Sequence, residues 1–336
     1  METGHKSARI LGRAIATGAL LLCAFPHTAR CQITPEQVAE LRNVIGDRIE
    51  ALTILGGDFG LAGGTFRSTG KFQFAQNTSA SLSVSKLGGA GDIGDPQPVF
   101  GLNVGWQPSL QGNMGATHAS TTVQSGQLAG DVSKLDAKGI EFGGGARFWL
   151  TDRFSVAPSI MGLYGRSTES YTANSAFMRA NLPAAEQLGL VNWSVDTVTV
   201  VTGAGFQYIL NWNRTLITLT STPTFFDTES VKSSNANVYV KGTSGILANE
   251  VDVDIPLGIE FLHHELRTGG YFLRSDLYGG LKTGLNEDYI YEAHGRIVLD
   301  FLNQLWKVKY LGIGASYLWG PNITGWTAGI DAVFRF

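Results

Sequence analysis

The sequence is nearly without sulfur chemistry: its 336 residues include two cysteines, Cys23 and Cys31. Both lie in the first 31 residues, which read as a removable leader. The mature chain then has neither a disulfide framework nor a Cys-based metal site. Charge is scarce as well. Asp, Glu, Lys and Arg make up 16% of the residues and the net charge is −3, where an ordinary soluble domain is about a quarter charged. That balance excludes a nucleic-acid partner. No stretch after the leader approaches the roughly eighteen consecutive apolar residues of a spanning helix. Catalytic signatures are missing too, with no Gly-x-Ser-x-Gly elbow, no Walker-type phosphate loop and no Cys/His cluster.

What is present begins with the leader. Lys6, Arg9 and Arg13 are followed by an apolar stretch from Ala14 to Phe25, then Pro26, with Ala29 and Cys31 as small residues for cleavage. This is the pattern of a secretory signal peptide over residues 1–31. Roughly twelve apolar residues are too few to span a bilayer, and Arg30 ahead of Cys31 disfavours lipidation. What remains is long enough for one large β domain or two ordinary ones.

Residues 32–57 predict a helix. Thr34 is a candidate N-cap, Pro35 the first helical residue, and Gln37 stands three positions after the cap. Val38, Leu41, Ile45, Ile49 and Leu52 recur at helical spacing, and Gly56-Gly57 stop the pattern. From Pro35 to Leu55 such a helix is about 30 Å long, close to the thickness of a membrane core.

Beyond Gly57 the period changes to two. Ile140, Phe142, Ala146, Phe148 and Leu150 oppose Glu141 and Arg147. Val198, Val200, Ala204, Phe206, Tyr208 and Leu210 share a face. Val251 to Phe261 alternates with Glu250, Asp252, Asp254 and Glu260. Leu273, Leu277 and Leu281 oppose Arg274, Asp276 and Lys282. Tyr289, Tyr291, Ala293, Ile297, Leu299 and Phe301 oppose Glu292, His294, Arg296 and Asp300. Leu311 to Trp319 repeats the pattern, and Trp326, Ala328, Ile330, Ala332, Phe334 and Phe336 oppose Thr327, Asp331 and Arg335. Soluble strands run nearer five or six residues, whereas these faces stay apolar for nine to twelve, enough to cross a bilayer at a tilt. Aromatics sit toward the strand ends, where interface girdles belong. A soluble sandwich is the alternative. The expected fold is all-β: a transmembrane antiparallel up-and-down barrel over residues 58–336, of about twelve strands. Ten or fourteen remain compatible with the weakly patterned first three.

The connections agree. Tight ones are expected at Thr151–Arg153, Asn211–Arg214, His264–Thr268 and Leu302–Leu305, and long polar ones at 108–138, 166–193 and 227–249. With Phe336 in the periplasm, every tight turn falls on the periplasmic side and every long loop outside. A lumen of about twelve strands is wide enough for one helix, so the segment 32–57 is expected to thread and plug it. Alternatives are a helix at the barrel mouth and a segment ordered only on binding. Glu141, Arg147, Arg274, Asp276, Glu292, Arg296, Asp331 and Arg335, with Lys282 and Asp300, are expected to line the lumen. There they would pair with one another or with Arg42, Asp47, Arg48 and Glu50 of the helix, each exposed pair adding roughly 0–1 kcal/mol.

With its helix, about twelve strands and the terminus Val333-Phe334-Arg335-Phe336, the chain resembles the translocator domain of autotransporters. With few residues between leader and helix to serve as a passenger, it is most similar to the solitary outer-membrane autotransporter-like barrels. The stretch Ile45-Gly46-Asp47-Arg48-Ile49-Glu50-Ala51-Leu52 with Gly56-Gly57-Asp58-Phe59-Gly60 carries that likeness. The resemblance implies a bacterial outer-membrane protein whose terminal Phe336 is read by the barrel assembly machinery. Expected partners are outer-membrane lipid, periplasmic chaperones and that machinery, and the expected state is a monomer. No cofactor, metal or catalytic residue is expected. His118, the turn pair His263-His264, His294, Asp252, Asp254 and Asp331 are the candidates weighed for chemistry and set aside as solvated or wall residues. A small channel or porin and an outer-membrane hydrolase are the competing functions.

Overall fold

The computed structural model describes residues 35–57, 64–68, 78–99, 102–305 and 308–334. The leader 1–31, Thr34, Phe72, Phe74, Phe100, Arg335 and Phe336 lie outside the described residues. The elements are α1 (Pro35–Gly57), β1 (Gly64–Ser68), β2 (Thr78–Asp92), β3 (Gln97–Val99), β4 (Leu102–Val123), β5 (Val132–Trp149), β6 (Phe154–Thr172), α2 (Ala176–Gln187), β7 (Ser194–Trp212), β8 (Thr215–Ser233), β9 (Lys241–Phe261), β10 (His264–Gly279), α3 (Gly280–Leu285), β11 (Tyr289–Leu305), β12 (Val308–Trp319) and β13 (Thr324–Phe334).

Neighbouring strands are antiparallel in chain order, β1 pairs with β13, and β2 pairs with β4. The sheet therefore closes on itself as an all-β up-and-down barrel of twelve wall strands, with β3 a three-residue piece laid on β4. The register fixes its size. A line of direct partners leaves β6 at Phe154 and passes Tyr208, Leu219, Val251, Phe272, Ala293, Tyr317 and Trp326. It continues through Arg67, Ser83, His118 and Asp136 and returns to β6 at Thr168, fourteen residues further on. Twelve strands with that stagger tilt by about 40° and enclose a cylinder about 24 Å across. Side chains project about 5 Å from a sheet, so about 14 Å stays open, against the 10–12 Å diameter of a helix.

The faces settle which side is out. Phe142 is 67% exposed, Ile313 69% and Ile330 65%, whereas Glu141 is 1% and Glu292 2% exposed. Oily side chains point away from the axis and carboxylates point inward, the reverse of a soluble domain and the pattern expected of a membrane barrel. One strand departs from expectation. On β10 the inward residues are Leu273 and Leu277, and the outward ones are Phe272, Arg274, Asp276 and Tyr278. Leu277 turns inward because it packs against the helices inside the barrel rather than meeting water. Period-two contrast looks the same whichever face is oily.

The strands also run further than expected at the long-loop end. β4 and β5 continue through most of 108–138, β6 to Thr172, β8 to Ser233, and β9 starts at Lys241. These extensions stand clear of the hydrocarbon, so their outer faces are polar (His118 and Ser120, then Lys134 and Asp136) and carry no oily alternation. At the other end the β9–β10 turn is Leu262-His263, two residues earlier than expected, with φ of 52° and 65°. That is the geometry of a two-residue hairpin matched to strand twist. Above β4–β7 the loops pack on Leu128, Met178, Ala185 and Val191. Buried Asp131 ties them together, accepting bonds from Asn174 N, Ser175 N, Ser175 Oγ and Tyr171 OH at 2.6–2.9 Å.

Orientation is testable at one residue. Phe142→Arg puts a cation into the hydrocarbon belt and is expected to destabilise the barrel in liposomes by about 2–4 kcal/mol, measured by denaturant titration. A cost below about 0.5 kcal/mol, the effect of a surface substitution in water, would contradict an outer face in lipid.

Candidate functional site in the barrel lumen

Helix α1 lies against the inner wall of the barrel's long-loop half. Ile49, Ala51, Leu52 and Ile54 are fully buried there, packed in one apolar cluster with Leu82 and Val84 of β2, Leu135 of β5, Leu163 of β6 and Leu277 of β10. The cluster continues into Leu281 and Leu285 of α3, the short helix between β10 and β11, which folds inward onto α1. The polar contacts run from one end of α1 to the other. Arg42 Nη2 donates to Asn237 Oδ1 in the β8–β9 loop at 2.7 Å. Thr283 Oγ1 donates to Asp47 Oδ2. Ser244 Oγ donates to Glu50 Oε1 at 2.7 Å and accepts Leu281 N at 2.9 Å. Thr117 Oγ1 donates to Leu52 O at 3.1 Å, and Thr53 Oγ1 meets Ser167 Oγ at 3.3 Å. The N-terminal end of α1 therefore sits among the long loops and its C-terminal end nearer mid-barrel.

Small residues permit this fit. A Cβ on Gly284 would strike the Asp47 carbonyl, and one on Gly280 the Glu50 carboxylate, so α3 meets α1 through glycines four residues apart. A Cβ on Gly165 would strike the Thr53 side chain. Beside α1 a cavity of about 70 Å³ is lined by Ile45, Arg48, Glu169 and Trp193 among others.

The short-turn half of the lumen is different in kind. Arg147 donates to Asp92 at 3.0 Å and Gln207 at 2.6 Å. Arg267 pairs with Asp254 at 3.0 Å and reaches Asp300 at 3.9 Å, while Arg296 pairs with Asp252 at 2.9 Å. Asp252 and Asp254 thus lie away from the long loops, because β9 extends so far beyond them. Glu141 accepts from Gln111 and Asn113 at 3.2 and 3.0 Å, and Glu292 accepts from Tyr271 OH at 2.7 Å.

Several expected lumenal groups are elsewhere. Arg274 and Asp276 face outward, paired at 2.7 Å, with the guanidinium 5.3 and 5.7 Å from the rings of Tyr289 and Tyr291. Lys282 is on α3, exposed and 2.7 Å from Asp288. Asp331, by contrast, keeps its place on β13, opposite Gly312 and at the parity of buried Thr327. Of the helix charges, Arg42, Asp47 and Glu50 meet an amide and two hydroxyls. His294 Nδ1 is 2.7 Å from Ser316 Oγ and the ring stacks on Tyr271 at 4.6 Å. His264 packs on Phe301 at 4.3 Å. No group of three or more metal-binding side chains occurs among the described residues.

Residues 101–330, about two thirds of the chain, match the model of the solitary outer membrane autotransporter beta-barrel domain. The chain belongs to that family. Solved autotransporter barrels share its fold. The β domain of the Bordetella autotransporter BrkA matches at 16% identity with a TM-score of 0.51, over 81% of this chain and 97% of that one. The transport unit of AIDA-I from Escherichia coli matches at 11% identity and 0.50, over 90% and 100%. The translocator domain of NalP from Neisseria meningitidis matches at 12% identity and 0.50, over 90% and 98%. No curated protein matches the sequence. The family places the chain among bacterial outer-membrane barrels, so the long-loop end is extracellular and the short-turn end periplasmic.

Sequence reasoning missed Ser244, Thr283 and the inward fold of α3. The one available signal was Gly280-Leu281-Lys282-Thr283-Gly284, whose glycines at a four-residue spacing allow two helices to approach closely. Gly284→Leu is expected to push α3 from α1 at an overpacking cost of about 1–3 kcal/mol. In an Ala51→Cys background it should speed thiol labelling from the medium by about tenfold or more. Unchanged labelling would mean that α3 does not hold α1.

A second outcome concerns the α3–β11 loop, outside the membrane. Glu287 is 2% exposed and accepts Asn322 N at 2.7 Å, and burial pushes its carboxyl up to about 8. An acid whose folded pKa is raised adds stability that is complete below its unfolded value near 4.5. That stability is lost as pH climbs through 8. Thermal stability should therefore fall between about pH 4.5 and 8 and level off above, and Glu287→Gln should flatten that fall. An equal slope in both proteins would exclude Glu287 as its cause.

Proposed function

We propose that the protein is an exported outer-membrane barrel whose lumen is kept shut by α1, with α3 as the latch. It serves a structural or transport role and has no catalysis of its own. The single observation that carries this reading is the complete burial of Ile49, Leu52 and Ile54 between the inner wall and α3. A helix that wide in an opening of about 14 Å leaves little room for solute. The opposed leader-like segment 1–31 and terminal Phe336 support export as a signal-bearing chain and recognition by chaperones and the assembly machinery. A sheet closed on itself suits a monomer.

The absence of catalysis rests on where the candidate bases are. Among those candidates His294 meets Ser316 Oγ at 2.7 Å, and it is stacked on Tyr271 and serves the wall. A small channel from which α1 withdraws is the second reading. One observation favours it: the periplasmic half of the lumen is lined by paired charges rather than by oil, and so is built for water.

Planar-bilayer recordings separate the two. Wild type is expected to be nearly silent, and deletion of residues 35–57 to give stepwise openings. Inward carboxylates outnumber arginines in the lower lumen, so the opened pore should favour cations. Equal conductance with and without the helix would defeat the occlusion.

A further inference from the structure

On the outer wall at the extracellular end, four neighbouring strands turn from apolar to charged within two residues. Ile140 gives way to Lys138 on β5, Tyr164 to Arg166 on β6, Val198 to Asp196 on β7 and Phe225 to Asp227 on β8. That line marks where hydrocarbon ends and headgroups begin. The cations are concentrated on β5 and β6. Lys138 and Arg166 are direct cross-strand partners, both exposed on the outer face. Like charges set opposite one another oppose strand pairing. Lys134 extends the strip upward on β5.

Nearby carboxylates leave the strip under-neutralised. Asp136 lies between the two lysines on the same face, but it is 2.6 Å from His118 Nδ1 on β4. Asp196 is 3.7 Å from Arg166 Nε, and the arginine side chain stays 62% exposed. Directly below, Ile140, Phe142, Ile160 and Tyr164 form an exposed apolar shelf.

We propose that Lys138 and Arg166, with Lys134, hold the phosphate of an anionic lipid in the outer leaflet, its acyl chains lying along the shelf below. A guanidinium takes phosphate oxygens through a planar fork, and a lysine adds a point charge. The bound anion relieves the repulsion between Lys138 and Arg166. The shelf makes a lipid the occupant rather than free phosphate. This inference rests on the outward face of the barrel and is independent of α1.

Native mass spectrometry of the detergent-purified full chain tests it, with dioleoyl phosphatidic acid, dioleoylglycerol and inorganic phosphate as probes. Wild type should retain phosphatidic acid. K138Q/R166Q should lower its occupancy about tenfold, while dioleoylglycerol stays low on both. Lys138→Gln alone should give an intermediate loss, and heat-modifiable gel mobility verifies the fold of each variant. Equal occupancy on wild type and on every folded variant would overturn the proposal. So would equal retention of dioleoylglycerol, or displacement of the lipid by inorganic phosphate, which identifies a free-anion site.

Discussion

A bilayer offers no water to an unpaired peptide group, so a sheet inside it must spend every hydrogen bond on itself. Here β1 pairs with β13 and β2 with β4, so the described strands close into a ring. Everything else in the structure descends from that closure. Twelve strands staggered by fourteen residues set the tilt, the tilt sets the width, and the width admits one helix and little more. The same closure inverts the usual placement of side chains. Ile313 and Ile330 face lipid, while Glu141 and Glu292 must find their hydrogen bonds inside, with Asn113 and Tyr271.

The wall was legible in the sequence only as far as the lipid reaches. Ile140 to Leu150 and Leu311 to Trp319 alternate because one face meets hydrocarbon and the other meets water or charge. Above that level both faces of β4, β5 and β6 are free of hydrocarbon, and the outer one becomes His118, Lys134 or Asp136. Such a segment reads as a polar loop although its backbone continues the ladder. β10 shows the complementary failure. Its oily face turns inward because α1 and α3 lie behind it, and no local pattern reveals what a strand faces across a lumen.

The interior was legible in outline and misread in chemistry. The period of Ile45, Ile49 and Leu52 marks a helix whose oily stripe needs a partner, and the barrel supplies it. At Arg42, Asp47 and Glu50, pairing with a wall charge would cost the water stripped from both members of a pair. The structure uses Ser244, Thr283 and Asn237 instead, which bond a charged group without adding a second ion to desolvate. Hydroxyls and amides are scattered along every strand, so nothing in the sequence marks these three.

A comparison of magnitudes says what retains α1. Fully burying an aliphatic side chain contributes about 1.5–3 kcal/mol, whereas a hydrogen bond nets about 1 kcal/mol because water competes for it. Ile49, Leu52, Ile54 and Leu55 therefore outweigh the bonds to Asn237, Thr283 and Ser244. Those bonds fix register rather than affinity. Apolar retention is not weakened by salt, so the charged periplasmic half of the lumen has little grip on the helix. The weak point is α3. It belongs to an extracellular loop, contributes Leu281 and Leu285 to the same cluster, and touches α1 where only glycine fits. On the reading proposed above, α1 stays or goes with the movement of that loop and not with the network of Arg147, Arg267 and Arg296 beneath it.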